Sequence, residues 1–176
     1  MRIIAGSLKG RIIEDPRGHR THPMSEKIRG ALFNTLGDIE GLTLLDAFTG
    51  TGAVAIEAVS RGAASVIGID TDLAAYKNAS QNVASLSVKN VRIIQANVSS
   101  WCDHNPDAVF DIVVADPPYD DVKPWLLQKL TDHIQTGGIY IVSLPDSQDL
   151  PVFASCELLA DKHYGDAMLL FYRKIN

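Results

Sequence analysis

Leu42-Thr43-Leu44-Leu45-Asp46-Ala47-Phe48-Thr49-Gly50-Thr51-Gly52-Ala53-Val54-Ala55 runs from a short apolar segment to a carboxylate, then through a loop with two glycines into a helix-forming stretch. An apolar run of this length, closed by Asp and Gly, reads as a buried strand. Gly50 and Gly52 allow the backbone to lie where a Cβ would collide. A strand that feeds a helix through so tight a loop is the opening of a βα unit.

The same rhythm continues downstream. Ser65-Val66-Ile67-Gly68-Ile69-Asp70, Val91-Arg92-Ile93-Ile94, Phe110-Asp111-Ile112-Val113-Val114-Ala115 and Gly138-Ile139-Tyr140-Ile141-Val142 are further strand-length apolar runs. Amphipathic segments at 53–61, 72–85 and 121–134 lie between most of them. This alternation predicts an α/β fold, a mostly parallel sheet with helices on both faces. After Pro151 the pattern becomes strand, turn, strand: Ser155 to Leu159, then Ala167 to Tyr172, joined through Tyr164-Gly165-Asp166. An antiparallel C-terminal hairpin is expected there.

Upstream, Arg2-Ile3-Ile4-Ala5 and Arg11-Ile12-Ile13-Glu14 flank Gly6 and Gly10, which suits a small β-hairpin. A Pro/Gly/His-rich loop covers 15–23. Ile28, Leu32, Phe33 and Leu36 then recur at helical spacing, with Ser25 as N-cap and Gly37 as stop. The expected organisation is a hairpin-and-helix extension over 1–37 and a main domain over 38–176.

At 176 residues and 46% hydrophobic content, the chain supports one well-buried core. No run of 18 apolar residues exists, and the apolar start before Lys9 and Arg11 is too short for a signal peptide. A soluble, cytoplasmic protein without membrane contact is expected. Cys102 and Cys156 lack metal-ligand spacing and read as reduced thiols. His19, His22, His104, His133 and His163 show no paired metal spacing and are expected at the surface or in loops. Trp101 and Trp125 read as packing residues, and Glu57 as a solvated helix residue.

Charge is uneven. Residues 1–30 hold seven Lys/Arg against three acidic residues, a balance of +4 in a chain of net −5, which leaves −9 for the rest. A basic head on an acidic body suits a protein that meets a polyanion with one face, although a solvated surface gives the same pattern.

The glycine loop, read as G-x-G-x-x-A, suits a dinucleotide pyrophosphate or another nucleoside ligand. Asp46 weighs against pyrophosphate, since a carboxylate at the strand end repels phosphate and attracts ammonium and sulfonium. S-adenosylmethionine carries both of those charges. Asp70, 24 residues later at a strand end, is placed to accept hydrogen bonds from ribose hydroxyls. Asn97 offers an amide to an adenine edge and Val98 a backbone N–H, although Asn is also a common turn former.

Asp116-Pro117-Pro118-Tyr119 directly follows the run ending at Ala115. Two prolines fix φ, keep the chain extended and remove two donors. They leave a rigid rim of acceptors, the Asp116 carboxylate and the Pro117 carbonyl. Such a rim suits the –NH2 of a nucleobase, whose delocalised lone pair must be turned toward an electrophile. Tyr119 supplies a ring for base stacking, worth roughly 1–3 kcal/mol in nucleic-acid sites.

These motifs together resemble class I S-adenosylmethionine-dependent methyltransferases that modify exocyclic amines. More narrowly, the chain resembles the bacterial 16S rRNA guanine-N2 methyltransferase family of RsmD type. The resemblance is carried by Arg2-Ile-Ile-Ala-Gly6, Lys9-Gly-Arg11, Pro23 through Arg29 followed by Ala31-Leu-Phe-Asn34, Glu57-Ala-Val-Ser-Arg-Gly-Ala63 and Tyr164-Gly-Asp166. Where the family pattern has Arg-Pro-Thr, this chain has His22-Pro23-Met24, and Gly30 stands where Glu is usual.

The resemblance implies a Rossmann-like seven-stranded sheet and methyl transfer from S-adenosylmethionine, leaving S-adenosylhomocysteine, to guanine N2 of small-subunit ribosomal RNA in the 30S particle. It implies a monomer and no metal. Asp46, Phe48, Gly50, Gly52, Asp70, Asn97 and Val98 would hold the donor. Asp116, Pro117, Pro118 and Tyr119 would form the catalytic rim. Lys9, Arg11, Arg17, Arg20, His22, Lys27 and Arg29 would bind RNA. Methylation of adenine N6 or of a protein glutamine remains open, as does a non-catalytic nucleotide-binding or NAD-dependent domain. Asp116 in place of Asn speaks against glutamine, and the Pro-Pro rim has no role in the last two.

Overall fold

A computed structural model describes residues 1–15 and 24–176; Arg17, Arg20, His19 and His22 lie outside the described residues. Seven strands form one sheet in the order β3-β2-β1-β4-β5-β7-β6. The chain divides into two compact units, Met1–Val98 and Ser99–Asn176.

In the first unit, α1 (Glu26–Leu36) starts at Ser25, whose hydroxyl accepts from the Ile28 N–H, and stops at Gly37, as the sequence predicts. Next come β1 (Thr43–Asp46), α2 (Ala53–Ser60), β2 (Ser65–Asp70), α3 (Leu73–Ser85) and β3 (Val91–Gln95). The strands pair in parallel, with Asp46 beside Gly68 and Asp70 beside Gln95. Their C-terminal ends, where the acidic residues sit, therefore share one edge of the sheet.

The N-terminal hairpin is realised in its shortest form. Arg2 bridges Ile12, and Ile3 N–H donates to the Arg11 carbonyl at 2.9 Å. Ile3 and Ile13 pack with Ala53 and Ile56 of α2 in one apolar cluster. Polar contacts reinforce this. Glu57, which the sequence reading placed in solvent, is fully buried. Its carboxylate accepts from the backbone N–H groups of Ile4 at 2.8 Å and Ala5 at 3.0 Å, and from Arg61 Nε at 2.9 Å. Arg29 Nε lies 3.5 Å from the same carboxylate, an ion pair without good hydrogen-bond geometry. The Arg29 side chain also donates to the Arg2 carbonyl. A Cβ on Gly6 would sit 1.7 Å from the Ser60 carbonyl oxygen, so only glycine fits where the segment crosses the end of α2.

The second unit holds α4 (Val98–His104, which begins at the boundary), β4 (Phe110–Ala115), α5 (Pro124–Leu130), a 3-10 turn (Thr131–His133), β5 (Ile134–Pro145), β6 (Cys156–Tyr164) and β7 (Ala167–Lys174). Ile112, Val113, Val114 and Ala115 are all buried, so both faces of β4 are covered. β5 pairs in parallel with β4 and antiparallel with β7, and β6 closes the C-terminal hairpin on β7.

Several expectations change in this unit. α5 begins only at Pro124, because proline takes the first helical turn and ends the loop before it. His133 is buried rather than at the surface; its Nδ1 meets the Ala108 carbonyl at 2.7 Å and its ring packs on Trp101. Trp101 is a packing residue, whereas Trp125 is 58% exposed. Both cysteines are free thiols, and burial pushes Cys102 up to about 11, which makes it a poor nucleophile. Among the described residues no helix is long and apolar enough to cross a membrane, and no cluster of three His, Cys, Asp or Glu is placed to hold a metal ion.

Candidate active site

In the first unit, the donor-loop candidates meet at the C-terminal ends of β1 to β3. Asp46 is 1% exposed, and its Oδ2 accepts from the Thr49 hydroxyl at 2.8 Å. Thr49 N–H donates to the Ile69 carbonyl and Gly52 N–H to the Thr49 carbonyl, both at 2.8 Å. The loop is thereby folded over the end of β2. Gly68 makes room for it, since a Cβ there would stand 2.7 Å from Thr49 Oγ1. Gly50 and Gly52 take φ of +53° and +78°. Nothing lies within 4 Å of where a Gly50 Cβ would point, so that face of the loop is open to a ligand. Gly52 starts α2, and a Cβ there would press on Ala79 of α3 at 3.3 Å.

Asp70 has structural work of its own. One carboxylate oxygen accepts from Gly50 N–H and the other from Asp72 N–H, both at 2.9 Å. A carboxylate has about four acceptor positions, so two remain for a diol. Burial raises the Asp70 pKa, and the backbone N–H groups of Asp72, Gly50 and Thr71 oppose that rise. Ala96 N–H donates to the Asp70 carbonyl at 3.0 Å, which sets Asn97, an exposed residue, at the same sheet edge. Phe48 is half-buried in the loop and Val98 is buried. Asn82 of α3 binds the whole assembly to the N-terminal segment: its amide donates to the Thr51 carbonyl at 2.9 Å and to the Glu14 carbonyl at 3.0 Å, and accepts from Glu14 N–H at 2.9 Å.

In the second unit, Asp116 and Tyr119 follow β4, and the register that pairs Ala115 with Val142 brings Ser143 of β5 beside them. Tyr119 OH lies 3.0 Å from Ser143 Oγ. Burial pushes Asp116 up to about 6. Tyr119 remains 39% exposed, leaving ring surface for a planar partner. Pro117 is buried, and the Pro118 carbonyl accepts from Asp121 N–H at 3.0 Å, so the motif is held as a turn.

Among the proposed RNA contacts, Lys9, Arg11 and Lys27 are exposed. Arg29 is a correction: at 0% exposure and committed to Glu57 and Arg2, it is part of the core and cannot reach a polyanion. Thr49, Gly68 and Ser143 escaped the sequence reading. Thr49 lay in plain view between Asp46 and Gly50, whereas Gly68 and Ser143 become meaningful only through strand register.

A mostly parallel seven-stranded sheet with an antiparallel final hairpin, a glycine loop after β1, an acid after β2 and Asp-Pro-Pro-Tyr after β4 defines a class I methyltransferase. The family model described as "Conserved hypothetical protein 95" matches residues 1–173, and the chain belongs to that family, the methyltransferases of RsmD type. It is 29% identical to ribosomal RNA small subunit methyltransferase D of Escherichia coli (strain K12), over 99% of this chain and 90% of that one. The solved structure of the Escherichia coli protein yhhF superposes with a TM-score of 0.89 at 29% identity, covering 99% of this chain and 98% of the other. The protein SMU.776, solved in complex with SAH, shares the fold alone, at 15% identity and a TM-score of 0.64 over 84% of this chain and 48% of that one.

Proposed function

We propose that this protein transfers a methyl group from S-adenosylmethionine to the exocyclic N2 of a specific guanine in small-subunit ribosomal RNA. The observation that carries the reading is the Asp116 carboxyl, fixed on a proline-stiffened rim beside Tyr119 and Ser143. The name of the Escherichia coli relative supports the RNA substrate. The donor supplies an electrophilic methyl on a sulfonium. Asp46, Phe48, the open backbone at Gly50, Gly52, the spare acceptor positions of Asp70, Asn97 and the Val98 N–H would hold it, without a metal.

The remaining work belongs to the rim. Asp116 and the Pro117 carbonyl accept the two amine hydrogens and turn the nitrogen lone pair toward the methyl, while Tyr119 stacks the base. As the N–C bond forms, the S–C bond breaks and its electron pair stays on sulfur. The developing positive charge on nitrogen is stabilised by the Asp116 carboxylate. The surplus amine proton leaves to Asp116 or to water. Lys9, Arg11 and Lys27, with Arg17, Arg20 and His22, are assigned to phosphate contacts within the 30S subunit, reached in the cytoplasm by a monomer whose residues 1–37 serve as the RNA-binding element.

The test is transfer of tritiated methyl to small subunits from a strain lacking the enzyme, followed by nucleoside analysis. Label in N2-methylguanosine is expected. Label in N6-methyladenine or on protein glutamine would overturn the substrate assignment.

The acidity of Asp116 gives a second expectation. The ionised form is the one that accepts from the amine and stabilises its developing charge, and it dominates above a pKa of about 6. Activity should rise with pH through that value and level off above it, falling toward tenfold per pH unit on the acid side. A kcat profile from about pH 5 to pH 8 checks this; a flat profile contradicts it.

A further inference from the structure

We propose that Thr49 is a positioning residue for the methyl donor, its hydroxyl fixing the direction in which the Asp46 carboxylate meets the donor's ammonium group. The proposal rests on the donor reading given above and names a contact within it. Thr49 Oγ1 donates to Asp46 Oδ2 at 2.8 Å, and the two residues are 5% and 1% exposed. A carboxylate so nearly stripped of water has little freedom to turn toward an arriving ligand, and a hydrogen bond to a charged acceptor holds it in one rotamer.

The fold is arranged around that hydroxyl. Gly68 pairs with Asp46 across the neighbouring strand, and a Cβ there would stand 2.7 Å from Thr49 Oγ1 and 2.9 Å from Ile93 Cδ1. Glycine weakens a strand interior, so β2 gives up a side chain at the register position over which the hydroxyl lies. The Thr49 backbone is held separately: its N–H donates to the Ile69 carbonyl and its carbonyl accepts from Gly52 N–H, both at 2.8 Å. The path of the loop is thus secured without the hydroxyl, which acts on Asp46.

Thr49 and Gly50 stand between two acids. Thr49 binds Asp46 through its side chain, and the next N–H, that of Gly50, donates to Asp70 Oδ2 at 2.9 Å. In the donor reading Asp46 faces the ammonium and Asp70 the ribose diol. Loss of the Thr49 hydroxyl releases only the first of these, whereas a collapsed loop would disturb both. That difference separates positioning from support of the loop.

The experiment is calorimetric titration of wild type, Thr49→Val and Thr49→Ser with two ligands, S-adenosylhomocysteine and its deaminated analogue. The analogue keeps the nucleoside, thioether and carboxylate and lacks only the ammonium. Valine keeps the shape of threonine and loses the hydroxyl; thermal unfolding checks that each variant is folded, and Thr49→Ala, smaller and also without the hydroxyl, must give the same contrast. Thr49→Val should weaken S-adenosylhomocysteine roughly five- to thirtyfold and the analogue by no more than about twofold, so that the preference for the ammonium shrinks. Thr49→Ser should restore affinity to within about threefold of wild type. Equal weakening of both ligands, or an undiminished preference in Thr49→Val, overturns the proposal and leaves the donor reading standing. A wild-type protein that binds neither ligand, or that does not distinguish them, overturns the donor reading at Asp46 instead.

Discussion

Asp116→Ala is expected to lower kcat for methyl transfer by about two to three orders of magnitude while leaving S-adenosylhomocysteine affinity within roughly twofold. The reason is the division of labour between residues. The donor-loop contacts are built from β1, β2 and β3, with Asp46 tied to Thr49 and Asp70 to Gly50 and Asp72. Asp116 takes part in none of these bonds. In the proposed mechanism its removal takes away the carboxylate that turns the amine and stabilises the charge appearing on nitrogen. Asp116→Asn separates those two contributions, because the amide keeps an acceptor oxygen and loses the charge. Single-turnover kinetics and calorimetric titration with S-adenosylhomocysteine provide the readouts. Full turnover in Asp116→Ala would sink the mechanism.

Glu57→Ala should be the most damaging single change to stability outside the apolar core, costing about 3–5 kcal/mol. The carboxylate holds Ile4 N–H, Ala5 N–H and Arg61 Nε, and faces the buried guanidinium of Arg29. Truncation leaves that cation without its counter-charge and two backbone donors unpaired. Burial already lowers the Arg29 pKa, and Glu57 is the main influence opposing it. For a chain of this size the loss corresponds to a melting temperature lower by roughly 6–20 °C. A drop of only a degree or two would mean that water replaces the carboxylate. Changing Glu57 and Arg29 together to methionine should recover part of the loss, because the cost lies in the uncompensated charge rather than in the missing attraction.

Much of the fold was legible in advance because its signals are local. Ser25 and Gly37 bound α1 through their own hydrogen bonds, and the runs of Leu44-Leu45 and Ile112 to Ala115 show their burial by composition. The β5 boundary was harder. The strand begins at Ile134 rather than Gly138, and its register with β4 shifts between Phe110 and Ile112, near a Gly137 at φ +84°. α4 went unread because a seven-residue helix ending in Asp103-His104 is too short to establish a period.

The site divided in the same way. Asp46, Gly50, Gly52 and Asp116 announce themselves by what surrounds them in sequence. Glu57, Arg29 and Ser143 do not, since each owes its role to a partner from another element. The RNA role expected of Arg29 follows from the family resemblance and its charge, neither of which shows the buried carboxylate it faces, and Glu57 reads as solvated because helix α2 gives no hint that Ile4 and Ala5 lie against it.

The N-terminal segment also carries a constraint in time. Its anchors are Glu57, Ser60 and, for Glu14, Asn82. A ribosome adding about 5–20 residues per second completes residues 1–15 roughly 3–13 s before it delivers Asn82. Until α2 has been made Ile3 and Ile13 lack its cover, and the Glu14 anchor waits still longer for Asn82, so this segment is fully seated only after β1, α2, β2 and most of α3 have been synthesised.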